Sequence, residues 1–368
     1  MIARGFISFR TPAGISIGPE RAACSERFDM VWKSALARLV FCLGVLTLAG
    51  PAVAHSDGSV PPSTPSALQA RKLNVGTTPR TYQLYLPQGG VREPGPVMIV
   101  LHGAGGTGAR MHTYFGAAPA ADRSGFAVAY PDGLNGQWND GRPPSLRYLP
   151  QLLDVDDVGF IAAIAQDLIA RRIADPRRIF IVGLSNGGGM ALRMACDRPD
   201  TAAAFGFIAA PAGDLVINAC RGGRPRPMLL IHGTKDRTIP YAGGMIRKAA
   251  LDRLLSAPEH ARFWARRNGC LDTVAESELP DIDPTDNTRI RRSAYQSCPN
   301  GAPVELLTIE GGGHQPPIAK VGAATASGMA VGMLGSRSHD IDATEVMWRF
   351  FNSGPQASGA AAGISERR

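Results

Sequence analysis

Between residues 81 and 351, short apolar runs alternate with longer segments whose apolar side chains recur every three or four positions. Residues 96–101, 125–130, 178–183, 204–209, 227–232 and 304–309 are each almost wholly apolar. A strand covered on both faces by helices has that composition. Residues 81–86 alternate instead, as a half-buried strand does. Residues 158–172 place Phe160, Ile161, Ile164, Leu168 and Ile169 on one helical face. Asp156 and Asp157 stand just where carboxylates satisfy a helix's first N–H groups. Residues 186–197, 258–268 and 343–351 read as further helices. The alternation predicts one α/β domain over 81–352: a mostly parallel sheet with helices on both faces. In such a sheet the functional residues gather at the carboxyl ends of the strands.

The flanks differ. Residues 55–80, rich in Ser, Pro, Thr, Gly and Ala, read as a flexible leader, and 353–368 as a loose tail. Lys33 and Arg38 precede the apolar run 39–49, and Ala52-Val53-Ala54 follows as a small-x-small cleavage pattern. That is the layout of a secretory signal, reading naturally from Met30. Residues 1–54 are therefore expected to be removed, and the protein to be exported without stable membrane insertion, the run being short for a span.

Charge and cysteines refine this picture. The formal net charge is +8, and residues 1–54 hold six Lys or Arg against three acids, which leaves +5 on the rest. The arginines are scattered singly or in pairs, which predicts a solvated surface and no nucleic-acid partner. Cys24 and Cys42 fall in the segment expected to be lost; Cys196, Cys220, Cys270 and Cys298 remain. An even number in an exported chain suggests two disulfides. Three pairings are open, and proximity favours Cys196–Cys220 and Cys270–Cys298. No Cys or His cluster suggests a metal. Asp154, Asp156 and Asp157 are read as capping and structural hydrogen-bonding residues, and no cofactor is expected.

The chemistry centres on Gly183-Leu-Ser185-Asn-Gly187, which leaves a buried strand directly and opens a helix. So tight a turn needs small flanking residues and holds the serine hydroxyl exposed above the sheet. A serine attacks well only when a neutral imidazole takes its proton. In this strand–turn–helix context the chain order is serine, acid, histidine. His314, in a glycine-rich loop after the strand at 304–309, is the best placed base. His260 lies within an amphipathic helix, and His339 reads as a surface or capping residue. Asp236 ends a short loop after the strand at 227–232 and would orient the imidazole. Asp214 and Asp252 follow no equivalent strand end. Oxyanion donors are expected from the backbone N–H of Asn186 and from that of Ala104, with Gly103 as the alternative, in the loop His102-Gly-Ala-Gly-Gly106. His102 and His232 each open a His-Gly pair at a strand end and are expected to hydrogen-bond rather than transfer protons. His102 and Trp138 are the candidates for substrate contact, with a structural role equally open for Trp138.

These stretches resemble the secreted polyhydroxybutyrate depolymerase and feruloyl-esterase-like group of α/β-hydrolases, also called LpqC-like esterases. The resemblance rests on Leu101-His-Gly-Ala-Gly-Gly106, Tyr130-Pro-Asp-Gly133, Trp138-Asn-Asp-Gly-Arg142 and Val155-Asp-Asp-Val-Gly-Phe160. It continues in Asp175-Pro-Arg-Arg-Ile-Phe180, Gly183-Leu-Ser-Asn-Gly-Gly188, His232-Gly-Thr-Lys-Asp236, Ile239-Pro-Tyr241 and Gly311-Gly-Gly-His314. It implies an α/β-hydrolase fold with Ser185 as nucleophile, Asp236 as acid and His314 as base. It also implies pairing of Cys196 with Cys220, and a polyester oligomer or plant-polysaccharide ester as substrate. Members of the group often carry Thr-Trp-Pro after the histidine; here Gln315-Pro316-Pro317 stands there, followed by the Ala-, Gly- and Met-rich stretch 319–335. That stretch is either a rim over the site or an exposed insertion. The expected activity is hydrolysis of a hydroxybutyrate-type oligoester, the alternatives being a feruloyl or acetyl xylan esterase, an acyltransferase, or a binding protein on the same scaffold.

Overall fold

The computed structural model describes residues 68–91, 94–143, 149–221, 223–245, 252–319 and 333–353. The expected signal region 1–54, residues 55–67 of the leader, residues 354–368 of the tail and residues 320–332 lie outside the described residues.

The first half of the domain runs β1 (Gln69–Val75), β2 (Thr78–Tyr85), β3 (Gly95–Leu101), α1 (Gly108–Phe115), α2 (Ala118–Ser124), β4 (Ala127–Pro131), α3 (Leu149–Leu152), α4 (Asp157–Ala170), β5 (Ala174–Leu184) and α5 (Asn186–Asp197). The second half runs β6 (Ala204–Ile208), α6 (Asp214–Ala219), β7 (Met228–Gly233), the short β8 (Gly244–Met245) and β9 (Arg253–Leu254), α7 (Ala257–Arg267), β10 (Val274–Glu278), β11 (Arg289–Tyr295), β12 (Val304–Glu310) and α8 (Ala343–Asn352).

The main sheet is ordered β1-β2-β4-β3-β5-β6-β7-β12-β11-β10. Its interior, from β4 to β12, is parallel. Antiparallel strands close both flanks. The strand order reverses between β3 and β5, which opens a crevice at their carboxyl ends. This is an α/β-hydrolase architecture, as expected.

Side chains of β3 alternate between the two faces. Val97, Ile99 and Leu101 join one core, with Phe160 and Ile164 of α4, Met190 of α5 and Trp264 of α7. Met98 and Val100 join the other, with Met111 and Phe115 of α1 and Met347 and Phe350 of α8. Burying a strand on both faces removes its need for polar residues, so the run reads as continuously apolar.

The flanking strands depart from the sequence expectation. Residues 69–80, assigned to a flexible leader, form β1 and the start of β2, paired antiparallel from Gln69–Leu84 to Val75–Thr78. The physical reason is that β1 is an edge strand with one half-covered face; Arg71 and Lys72 suit such an edge and hide the apolar pattern. β10 is exposed along its whole length and held by backbone pairing to β11.

Two disulfides brace the second half, Cys196–Cys220 and Cys270–Cys298. The first joins the end of α5 to the residue after α6; the second ties the turn after α7 to the segment after β11. Each closes a loop whose cross-linking is worth about 3.5 kcal/mol on the chain-entropy argument. No helix among the described residues is long and apolar enough to cross a membrane.

Candidate active site

Ser185 sits on the turn between β5 and α5 with φ 55° and ψ −123°, a conformation that costs a non-glycine residue energy. Its neighbours make the turn feasible. A Cβ at Gly183 would lie 2.0 Å from the Gly187 carbonyl oxygen, and one at Gly187 would lie 2.4 Å from those of Leu101 and His102. The strain is held by Ser185 N–H donating to Ile208 O (2.9 Å) and by Gly189 N–H donating to Ser185 O (3.0 Å). Serine at a helix N-cap usually spends its hydroxyl on a backbone N–H. Here the Ser185 side chain makes no capping bond.

His314 and Asp236 meet from the ends of neighbouring strands β12 and β7. His314 Nδ1 lies 2.7 Å from Asp236 Oδ2. The other carboxylate oxygen accepts the N–H groups of Thr238 and Ile239, each at 2.8 Å. His232 Nε2, 2.9 Å from Ile239 O, also lies 3.4 Å from Asp236 Oδ2. Burial alone would raise the Asp236 carboxyl, but hydrogen bonds from His232, His314 and Ile239 outweigh it and hold the pKa well below the usual carboxylate range. An ionised Asp236 favours the tautomer of a neutral His314 ring in which Nδ1–H donates to the carboxylate and Nε2 is the acceptor.

Ser185 and His314 line one cavity of about 230 Å³, together with His102, Gly103, Ala104, Gly105, Gly106, Leu184 and Leu334. Arg110, Met111 and Tyr114 of α1 complete it. A Cβ at Gly103 would come within 3.3 Å of Ser185 Cβ, a tight contact, so glycine eases the close approach of this loop to the serine. In that loop the Gly105 N–H is spent on Gly136 O (2.7 Å) and the Gly106 N–H on Gly103 O (3.0 Å).

The expected substrate contacts need correction. Trp138 is fully buried and is not part of the cavity lining. Its indole N–H donates to His102 O (2.8 Å), so it braces the loop from behind. His102 lines the cavity, yet both ring nitrogens are committed to backbone: Nε2 accepts from Gly133 N–H (3.0 Å) and Nδ1 lies 2.8 Å from Gly103 O. Burial pushes its pKa down, against the opposing pull of that carbonyl and of Asp132, and favours the neutral ring. His102 and His232 are both hydrogen-bonded, and the His102 ring stands on the cavity lining with its nitrogens engaged by backbone.

The other rivals sit elsewhere. His260 is buried in α7 and accepts the Trp264 indole N–H (3.0 Å). His339 donates its backbone N–H to Asp286 Oδ2 (2.7 Å), and its ring Nδ1 is 3.0 Å from Ile318 O. Asp156 caps α4 through Gly159 N–H (2.7 Å). Asp157 turns inward to Arg80 (2.6 Å) and Asn139 N–H (2.7 Å), and Asp154 accepts from Asn139 Nδ2 (3.2 Å).

Sequence reading missed a buried support beneath the elbow. Asn186 Oδ1 accepts from Trp138 N–H (2.8 Å), and its Nδ2 donates to Trp138 O (3.1 Å) and Asp140 Oδ2 (2.8 Å). Asp140 also accepts from Gln151 (2.8 Å) and pairs with Arg142 (2.7 Å). Arg110, Met111, Tyr114 and Leu334 were missed as well. Met111 and Phe115, spaced by one helical turn after Thr107, were the available signal for α1.

A family model described as esterase PHB depolymerase matches residues 80–277. The putative esterase NocK of Nocardia uniformis subsp. tsuyamanensis is 30% identical over 266 residues, covering 69% of this chain and 75% of that protein. Feruloyl esterase B of Piromyces equi is 30% identical over 235 residues, 62% of this chain, which spans only 41% of that protein's length. Among solved structures, an acetyl xylan esterase from Aspergillus awamori superposes with a TM-score of 0.49 at 16% identity, covering 73% of this chain and 99% of that one. With the strand order and the elbow geometry already described, the matched segment identifies the chain as a member of the esterase PHB depolymerase family, a carboxylic ester hydrolase on the α/β-hydrolase fold.

Proposed function

We propose that the chain is an exported serine esterase in which Ser185, His314 and Asp236 form the catalytic triad. One observation carries the reading: a strained serine with an uncommitted hydroxyl shares a cavity with a histidine anchored on a buried aspartate. His314 Nε2 takes the Ser185 proton as Oγ attacks the ester carbonyl. The backbone N–H of Asn186, at the open first turn of α5, stabilises the oxyanion. The second donor is Ala104, with Gly103 as its alternative, because the N–H groups of Gly105 and Gly106 are already taken. His314 then protonates the leaving alcohol, and water activated by the same ring releases the acid. Export is supported by the two disulfides and by the signal-like segment before residue 55.

Two substrate classes compete. The family description supports a hydroxyalkanoate oligoester. Relatives named feruloyl esterase support an ester on plant polysaccharide instead. Hydrolysis of p-nitrophenyl acetate and butyrate, methyl ferulate and a hydroxybutyrate trimer separates them. Preference for the trimer supports the first class and preference for methyl ferulate the second; cleavage of none contradicts the esterase reading. Product analysis with an added acceptor alcohol separates hydrolysis from acyl transfer.

A further inference from the structure

The described lining of the cavity beside Ser185 carries positive charge unmatched by an acid. Arg110 stands on it, and no Asp or Glu is among the described lining residues. Arg337 lies over the ring of the lining residue Tyr114, its guanidinium carbon 4.8 Å from the ring centre. The segment bearing Arg337 is pinned to the loop of His314: Gly313 N–H donates to Ser336 O (2.8 Å), and His314 N–H donates to Leu334 O (2.6 Å).

Arg337 Nε and Nη2 are buried, yet neither has a hydrogen-bond partner among the described residues. Buried guanidinium N–H groups are almost always paired, because leaving them bare forfeits their hydration. Elsewhere in this fold arginines are matched to carboxylates: Arg80 to Asp157, Arg142 to Asp140, Arg226 to Asp200 and Arg292 to Glu305. Neither Arg110 nor Arg337 has a carboxylate partner among the described residues. The Tyr114 ring packs against the Arg337 guanidinium without using its N–H donors, so Nε and Nη2, two donors that match a planar carboxylate, stay unfilled.

We infer that the site takes esters that carry a free carboxylate, held by Arg337 and, at the rim, by Arg110. Arg337 is then a specificity residue, and the ester is an acidic one such as the chain end of a hydroxy-acid oligomer or a dicarboxylic half-ester. The inference rests on the esterase reading above and deepens it.

Two matched pairs test it. p-Nitrophenyl hemisuccinate against p-nitrophenyl butyrate places the carboxylate on the acyl side. The free-acid hydroxybutyrate dimer against its methyl ester places it on the alcohol side. The quantity read is the ratio of kcat/KM for the ionised over the neutral ester, normalised to hydroxide hydrolysis, at pH 7 and low salt. The expected ratio for at least one pair is about tenfold, the scale of one partly exposed charge-assisted hydrogen bond. It should fall toward one in Arg337→Gln, be partly retained in Arg337→Lys, and shrink in 0.5 M NaCl. Melting temperatures of the variants establish that they are folded. Ratios within twofold of one for both pairs, or a high ratio that Arg337→Gln leaves intact, overturn the inference while the esterase reading stands. Failure to cleave any of the four esters sinks both readings.

Discussion

Asn186, the residue after Ser185 in the chain, is bound through its side-chain amide to the buried carboxylate of Asp140 at 2.8 Å. That bond couples the backbone of the elbow to the loop bearing Trp138, which in turn supports the His102 carbonyl. The backbone of Asn186 and the 102–106 loop, the proposed sources of the oxyanion donors, therefore rest on one shared buried network.

Removing the Asp140 carboxylate should damage both stability and aim. Asp140→Ala leaves Asn186 and Gln151 without their buried acceptor and breaks the pair with Arg142. The expected loss is about 3–5 kcal/mol, the usual cost of stripping one partner from a buried pair. Among molecules that remain folded, kcat should fall about 10- to 100-fold with a much smaller change in KM. Denaturant unfolding and steady-state kinetics on p-nitrophenyl butyrate read both effects. A change confined to stability would show that the network does not aim the donors.

Asp236→Asn keeps the shape of the carboxylate and removes its charge. An amide that donates to Nδ1 favours the wrong tautomer of His314, so kcat should drop about 10³- to 10⁴-fold while the fold persists. A drop below tenfold would mean that Asp236 does not orient the base.

Burial, with a smaller contribution from the nearby His232, pushes the His260 imidazole down to about 3. In the unfolded chain the same group titrates at about 6.5. The unfolded state therefore binds the extra proton between these values. Stability contributed by the neutral ring is complete above pH 6.5 and is lost as pH falls toward 3, by about 1.4 kcal/mol per pH unit. Burial lowers His102 as well, which adds a loss of the same sign. Unfolding free energies measured from pH 7.5 to 5 should fall for the wild type and fall less steeply for His260→Gln. Equal slopes would show that His260 is not the source.

The parallel core was legible because strands such as β3 and β5 are buried on both faces and announce themselves as apolar runs. Ser185, Asp236 and His314 stood out as candidates because glycines and strand ends restrict where an elbow and its partners can stand; the structure sets Asp236 against His314 and places Ser185 and His314 on one cavity. β1 and β10 were not legible, since backbone pairing rather than burial holds them. Trp138 stayed open between an acyl-site wall and a structural role, and only the three-dimensional packing shows its N–H committed to His102 O. Arg337 carried no local signal at all: its meaning comes from Tyr114, more than two hundred residues earlier in the chain.

Ser185 as nucleophile is tested by labelling with a fluorophosphonate, followed by peptide mass analysis and assay of residual hydrolysis of p-nitrophenyl butyrate. One adduct per chain is expected, on the peptide containing Ser185, with hydrolysis lost in proportion to labelling and no adduct in Ser185→Ala. Undiminished hydrolysis by Ser185→Ala, or an adduct on another residue accompanying the loss of activity, would contradict it.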